Sequence, residues 1–347
     1  MNGTETRYAP MEVRLNELDH LPEALLHCPA VELHRHLPGP TLVHLPGRRP
    51  RPLFVSVLLH GNEPVGLQAL QHVLTRHGGQ PLPRALSIFF GNVAAARHGQ
   101  RRLDGQPDYN RIWPGGEHLD TPEAGVMRAV FDRMRERNVF ASIDIHNNTG
   151  LNPHYACVNR LDPPFLQLAT LFGRTVVYFL RPRGVQSMAF ARLCPAVTLE
   201  CGRPGEAHGV EHAAEYLDAC LHLSRIPDHP VAPHDIDLFH TVAQVKVRED
   251  VTFSFGEPGA DVVFEPDIDH FNFRELPAGT VLGEVREGLG TGLLAFDEDG
   301  REVTDRYFTV ESGQLTLTRT AMPSMLTRDE RVVRQDCLCY LMERLDP

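Results

Sequence analysis

The sequence predicts a mixed α/β protein, a helix-covered sheet followed by a smaller, β-rich C-terminal domain. Three observations carry that expectation. Short apolar runs of strand length alternate with helical patterns over about residues 50–225. After Pro227-Asp-His-Pro230 the texture changes to short alternating pieces rich in Gly and Pro. A chain of 347 residues is also long enough for two cores. The expected boundaries are 1–230 and 231–347, with an irregular segment over residues 1–50 opening the first domain.

The elements follow in order. Leu53-Phe-Val-Ser-Val-Leu-Leu59 is continuous and apolar, as strands covered on both faces are. Residues 64–77 place Val65, Leu67, Leu70, Val73 and Leu74 near helical spacing. Leu86-Ser-Ile-Phe-Phe90 is a second strand. Thr121 is a natural N-cap, with Pro122 in the first helical position of a helix reaching Arg137. Residues 139–145 form a third strand, and 176–180 and 196–199 two more, before an amphipathic helix over 209–224. Beyond residue 230 the segments 241–247, 280–285 and 314–318 read as strands of the second domain.

Composition narrows the function. The formal net charge is -11 with no long basic run, which argues against nucleic acid or an anionic membrane as partner. Lys246 is the single lysine; arginine carries almost all the positive charge, a bias without functional weight by itself. The 7 cysteines are scattered with no C-x-x-C pair, so no disulfide framework is expected. Residues 1–15 have no apolar leader region, and no run reaches membrane-spanning length, which makes the cytoplasm the expected location.

The chemistry concentrates where the strands end. His60-Gly-Asn-Glu63 follows the first strand, Asp144-Ile-His146 closes the third and Glu200 closes Ala196-Val-Thr-Leu-Glu200. In open α/β sheets ligands collect beyond those carboxyl ends. Two imidazoles and a carboxylate suit a catalytic zinc ion that keeps one position open, so that water becomes a nucleophile near neutral pH. Manganese, cobalt or iron would also accept such donors. Glu200 remains as a base that takes the water proton and returns it to the leaving amine. Asp144 shares a strand face with His146 and could accept from its ring.

A third element is Arg101-Arg-Leu-Asp-Gly-Gln-Pro-Asp108-Tyr-Asn110-Arg111. Asn110 and Arg111 offer an amide and a planar fork for a substrate carboxylate. Arg101 could stabilise the oxyanion formed when water attacks the carbonyl.

These segments, with Gly91-Asn92 and Glu200-Cys-Gly202, resemble in order and approximate spacing the succinylglutamate desuccinylase and aspartoacylase family, within the wider zinc carboxypeptidase group. The resemblance spans about residues 53–225 and continues less closely through Leu276-Pro-Ala-Gly-Thr-Val-Leu-Gly283. It implies a sheet of the zinc carboxypeptidase type and one Zn2+ per chain held by His60, Glu63 and His146. It also implies Glu200 as general base and acid, Arg101 at the scissile carbonyl, and Asn110 with Arg111 on the substrate's α-carboxylate. Arg102 stands where an aromatic residue is usual, and Arg181, Arg183 and Arg192 are candidates for a second carboxylate-binding arginine. The leading expectation is a zinc-dependent amidohydrolase that deacylates a small N-acylated amino acid, a small-molecule substrate with a free carboxylate. A metallocarboxypeptidase acting on peptide C-termini is the alternative, and a metal-bearing binding protein without turnover a third reading. Oligomerisation is left open.

Overall fold

The computed structural model describes residues 13–117 and 119–345. Residues 1–12, part of the stretch read as lacking a leader, lie outside the described residues. The chain divides into two compact units. The first runs to Asn147 and takes in His154–Val176 and Pro182–Ile236; the second holds Asn148–Pro153, Val177–Arg181 and the chain from Asp237.

The first unit opens with strands β1 (Asn16–Leu18), β2 (Thr41–Leu45) and β3 (Gly47–Val57), helix α1 (Val65–His77), β4 (Leu82–Phe90) and the short helix α2 (Val93–Ala96). It continues through α3 (Pro122–Glu136), β5 (Ala141–His146), β6 (Tyr155–Val158), α4 (Pro163–Thr170), β7 (Thr175–Tyr178), α5 (Gln186–Phe190), β8 (Ala196–Glu200) and α6 (Ala207–His222). The strand order is β1-β2-β4-β3-β5-β8-β6-β7, with β7 straddling the division between the units.

Strands β4, β3, β5 and β8 run parallel, whereas β2 on β4 and β6 on β8 are antiparallel, so the sheet is mixed. The central position of β3 explains its apolar run: Leu53, Phe54, Val55 and Val57 are fully buried because helices cover both faces. Helix α1 buries Val65, Leu67, Leu70 and Val73 and packs on α6, which buries Ala213, Leu217 and Leu221. The start of α3 is as its sequence predicts: Thr121 Oγ1 accepts from Ala124 N at 3.2 Å, and Pro122 occupies the first turn.

Residues 13–50, read in sequence as irregular, supply β1, β2 and the start of β3. Thr41-Leu-Val-His-Leu45 pairs with β4 at the flank of the sheet. The Arg- and Pro-rich stretch 47–52 pairs with β4 through Gly47 and Arg49, with a register shift before Leu53 that accommodates its prolines. A stretch with so few apolar side chains carries no burial signal.

The second unit contains β9 (Asp237–Val247), β10 (Phe253–Phe255), β11 (Val262–Phe264), β12 (Val281–Val285), β13 (Leu293–Phe296) and helix α7 (Thr304–Tyr307). It ends with β14 (Phe308–Glu311), β15 (Gln314–Leu317), β16 (Met322–Ser324), α8 (Glu330–Gln335) and β17 (Cys339–Arg344). Antiparallel β17 joins β9 to β16, β13 also pairs with β9, and a five-stranded sheet runs β10-β11-β12-β15-β14. Ala243, Val245 and Val247 alternate into a core with Phe264, Leu293, Leu315 and Leu341. All seven cysteines are buried, and none forms a disulfide. Among the described residues, no helix is long and apolar enough to cross a membrane.

Phe190 is the hub of an aromatic cluster in the first unit. It stacks on Phe54 at 4.5 Å and meets Trp113 and Phe131 edge-on, each at 5.7 Å. Phe190→Ala should therefore cost about 3–5 kcal/mol, measured by urea titration through the fluorescence of the single tryptophan. A loss below about 1 kcal/mol would show that the cluster is not a structural anchor.

Candidate active site

His60 and Glu63 leave the end of β3 in a tight turn. Leu58 adopts φ 56°, a left-handed conformation that costs a residue with a Cβ about 1–2 kcal/mol. Gly61 is demanded by space, since a Cβ there would lie 2.2 Å from Ala96 N. Gly61 N donates to Arg101 O at 3.1 Å, and Asn92 Oδ1 caps α2 by accepting from Ala95 N at 3.0 Å. The turn is thus anchored to the segment that carries Arg101. Helix α1 begins directly after it, with Val65 N donating to Asn147 Oδ1 at 3.1 Å.

The three expected metal ligands converge. One donor atom from each of His60, Glu63 and His146 lies within 4.8 Å of the others, and all three residues are buried. Glu63 bridges the imidazoles: Oε1 is 2.9 Å from His60 Nδ1 and Oε2 is 2.6 Å from His146 Nδ1. The opposite ring nitrogens face two further carboxylates. His60 Nε2 is 3.0 Å from Asp108 Oδ1, and His146 Nε2 is 2.8 Å from Asp144 Oδ2. Ser56, opposite Asp144 in register, donates to its Oδ1 at 2.6 Å.

Electrostatics follow from this crowding. Burial pushes the Glu63 carboxyl up, but the His60 and His146 rings override it and hold it well below the usual carboxylate range. Burial likewise raises Asp108, and Arg101 and His60 bring it well below that range. Burial lowers His146, yet Asp144 and Glu63 hold its ring well above an ordinary imidazole. The donor set fits a divalent cation. One donor atom from each of two imidazoles and a carboxylate is gathered there, while Asp108 and Asp144 engage the far nitrogen of each ring.

Glu200 ends β8 directly opposite His146 in the β5–β8 register and opposite Tyr155 on β6, and is buried. Partners in register share a face of the sheet, so Glu200 and His146 project to the same side. Arg203 pairs with Glu206 at 3.2 Å. Asn147 ties the strand ends together, since its Nδ2 donates to Gly202 O at 3.0 Å while its Oδ1 caps α1.

Arg101 reaches the same cluster, with Nη2 3.0 Å from Asp108 Oδ2 and Nη1 3.6 Å from Glu63 Oε1. Asn110 Nδ2 lies 3.2 Å from His146 Nε2, and its Oδ1 accepts from Gln186 N at 2.9 Å. Arg111 Nη1 donates to Asn110 O at 2.8 Å. Of the other arginines, Arg181 belongs to the second unit, where Nε donates to Glu298 O at 2.6 Å, and Arg192 lies 5.9 Å from the Phe131 ring. Arg183 precedes Gly184, whose O accepts from Trp113 N at 3.0 Å, so its turn lies against the 110–116 loop.

Asp108, Ser56, Asn147 and Gln186 were not singled out by sequence reasoning. Asp108 alone carried a signal, two residues before Asn110 in a loop already marked for chemistry.

Residues 51–222 match the succinylglutamate desuccinylase/aspartoacylase catalytic domain. The chain belongs to this family. The fold agrees with solved members. Succinylglutamate desuccinylase from Chromobacterium violaceum superposes with TM-score 0.56 at 18% identity, covering 86% of each chain. Murine aminoacylase 3 gives 0.53 at 13%, over 86% of this chain and 96% of that one. The ectoine utilization protein EutE (DoeB) from Ruegeria pomeroyi gives 0.53 at 15%, over 87% and 88%. Sequence comparison with curated proteins finds no match.

Gly184 adopts φ 76°, and a Cβ there would lie 2.0 Å from Arg111 O. Gly184→Ala should therefore force the Asn110–Arg111 backbone to shift, costing about 1–3 kcal/mol. Hydrogen exchange at residues 108–116 should accelerate in that variant; unchanged exchange and stability would mean that the two loops are not interlocked.

Proposed function

We propose that the protein is a zinc-dependent hydrolase that cleaves the amide bond of a small N-acylated amino acid. The observation that carries this reading is the buried His60–Glu63–His146 group, with Glu200 facing His146 across the strand pair and Arg101 reaching Glu63. Family membership supports the reaction class. Two imidazoles and one carboxylate form a ligand set that zinc takes in catalytic sites. On this reading residues 1–230 form the catalytic domain, 231–347 a separate β-rich domain, and the enzyme works in the cytoplasm.

Bound by those three residues, a divalent cation supplies Lewis acidity and makes water nucleophilic near neutral pH. Glu200 accepts a proton from the attacking water and delivers it to the amine nitrogen as the carbon–nitrogen bond breaks. Arg101 donates to the carbonyl oxygen as negative charge collects there. Asn110 and Arg111 hold the free carboxylate, which fixes the acyl carbonyl before Glu200. Asp108 and Asp144 keep both imidazoles in the tautomer whose Nδ1 faces Glu63.

Glu200→Gln should lower turnover by about 10²–10⁴-fold while elemental analysis finds the wild-type metal content. Undiminished hydrolysis would remove Glu200 from the mechanism. N-acetyl and N-succinyl amino acids should be cleaved and short peptides left intact; the reverse outcome would make the enzyme a carboxypeptidase. Asp108→Asn should weaken metal binding about 10–100-fold in a chelator competition. An unchanged affinity would reduce Asp108 to a partner of Arg101.

A further inference from the structure

The first unit holds a second gathering of imidazoles that the proposed chemistry does not use. His154 precedes β6, and His208 and His212 stand one turn apart on α6. His154 Nδ1 and His212 Nδ1 face each other at 2.9 Å. Their ring centroids are 5.2 Å apart and their planes 22° from parallel. The centroid spacing exceeds the nitrogen spacing by about two ring radii, so the rings meet edge to edge with both Nδ1 atoms on the line between them. Phe172 covers the face of the His212 ring at 4.1 Å and 9°, which fixes its plane.

The charge pattern departs from that of an ordinary half-buried imidazole. Among the described residues no carboxylate hydrogen-bonds either His154 or His212, and His154 Nε2 is buried without a hydrogen-bond partner. Burial, with His212 and His208 nearby, holds the His154 ring below its ordinary value and hence neutral, the form that binds metals. His208 lies parallel to His154 at 5.0 Å, and its side chain is 68% exposed and able to turn. Glu206 Oε2, 3.7 Å from His208 Nε2, adds a carboxylate at the rim.

We propose that His154, His208 and His212 form a second binding site for a divalent transition-metal cation of the zinc or nickel class, distinct from the His60–Glu63–His146 group. Two imidazole nitrogens on a tetrahedral zinc ion lie about 3.4 Å apart, so the facing Nδ1 pair opens by about 0.5 Å and both rings pivot toward an ion lying off the line between them. His208, one helical turn from His212, rotates to supply the third nitrogen. Imidazole donors favour zinc, copper and nickel over calcium or magnesium, which sets the class of ion.

Calorimetric titration of the metal-free full-length protein with Zn2+, and separately with Ni2+, tests the site. The wild type should bind two equivalents of Zn2+. His60→Ala/His146→Ala should retain one equivalent, and His208→Ala/His212→Ala should lose the other while keeping the first. The exposed His208→Ala alone serves as a variant whose folding is not at risk, and it should weaken the second equivalent selectively. The proposal is overturned if the His208→Ala/His212→Ala protein, folded by circular dichroism, binds as many ions as the wild type, or if the folded His60→Ala/His146→Ala protein binds none. A single wild-type equivalent that survives His60→Ala/His146→Ala and vanishes in His208→Ala/His212→Ala would instead count against the proposed catalytic site, so the two failures are distinguishable.

Discussion

Glu63 lies buried between two imidazole nitrogens, and the surrounding structure answers that crowding. Electron-rich atoms at 2.6 and 2.9 Å repel unless positive charge stands among them. Arg101 supplies one cation at the edge of the group, and protonation or a bound metal supplies the rest. Asp108 and Asp144 fix the far nitrogen of each ring. Each of these groups is oriented in turn: Asp144 by Ser56, Asp108 by Arg101 and by Asn110 N at 2.8 Å. The site is a closed hydrogen-bonded assembly in which few side chains can move independently.

The parallel sheet makes the assembly affordable in conformational terms. Strands β3, β5 and β8 lie side by side, so residues leaving their carboxyl ends are neighbours although they are far apart in sequence. Rigid elements hold functional groups more closely than loops alone can. Strain concentrates where β3 must turn sharply, at Leu58, while the apolar strand behind it supplies the burial that offsets it.

His60, Glu63, His146 and Glu200 were legible in the sequence because each follows an apolar run whose burial fixes it as a strand, and because their side chains carry metal or proton chemistry. Asp108 was harder to see. It sits in Gly-Gln-Pro-Asp-Tyr, a segment without periodicity, and its partners lie 7 and 48 residues away along the chain. The choice among Arg181, Arg183 and Arg192 depends on which loop backbone meets the 110–116 segment, and composition carries no trace of that. Helices α4 and α5, of 8 and 5 residues, are too short for a 3.6-residue repeat to stand out. In the second unit β9 is legible from its alternation, whereas three-residue strands such as β10 and β11 are not.

The pairing of His146 with Glu200 has a consequence for how such a protein can diverge. Side chains along a strand alternate with a period of two, so one residue inserted within β8 ahead of Glu200 would turn its carboxylate to the opposite surface. Lineages descending from this scaffold are therefore free to lengthen or shorten the connections that follow the strands. The interiors of β5 and β8 must keep their length for as long as both groups are required.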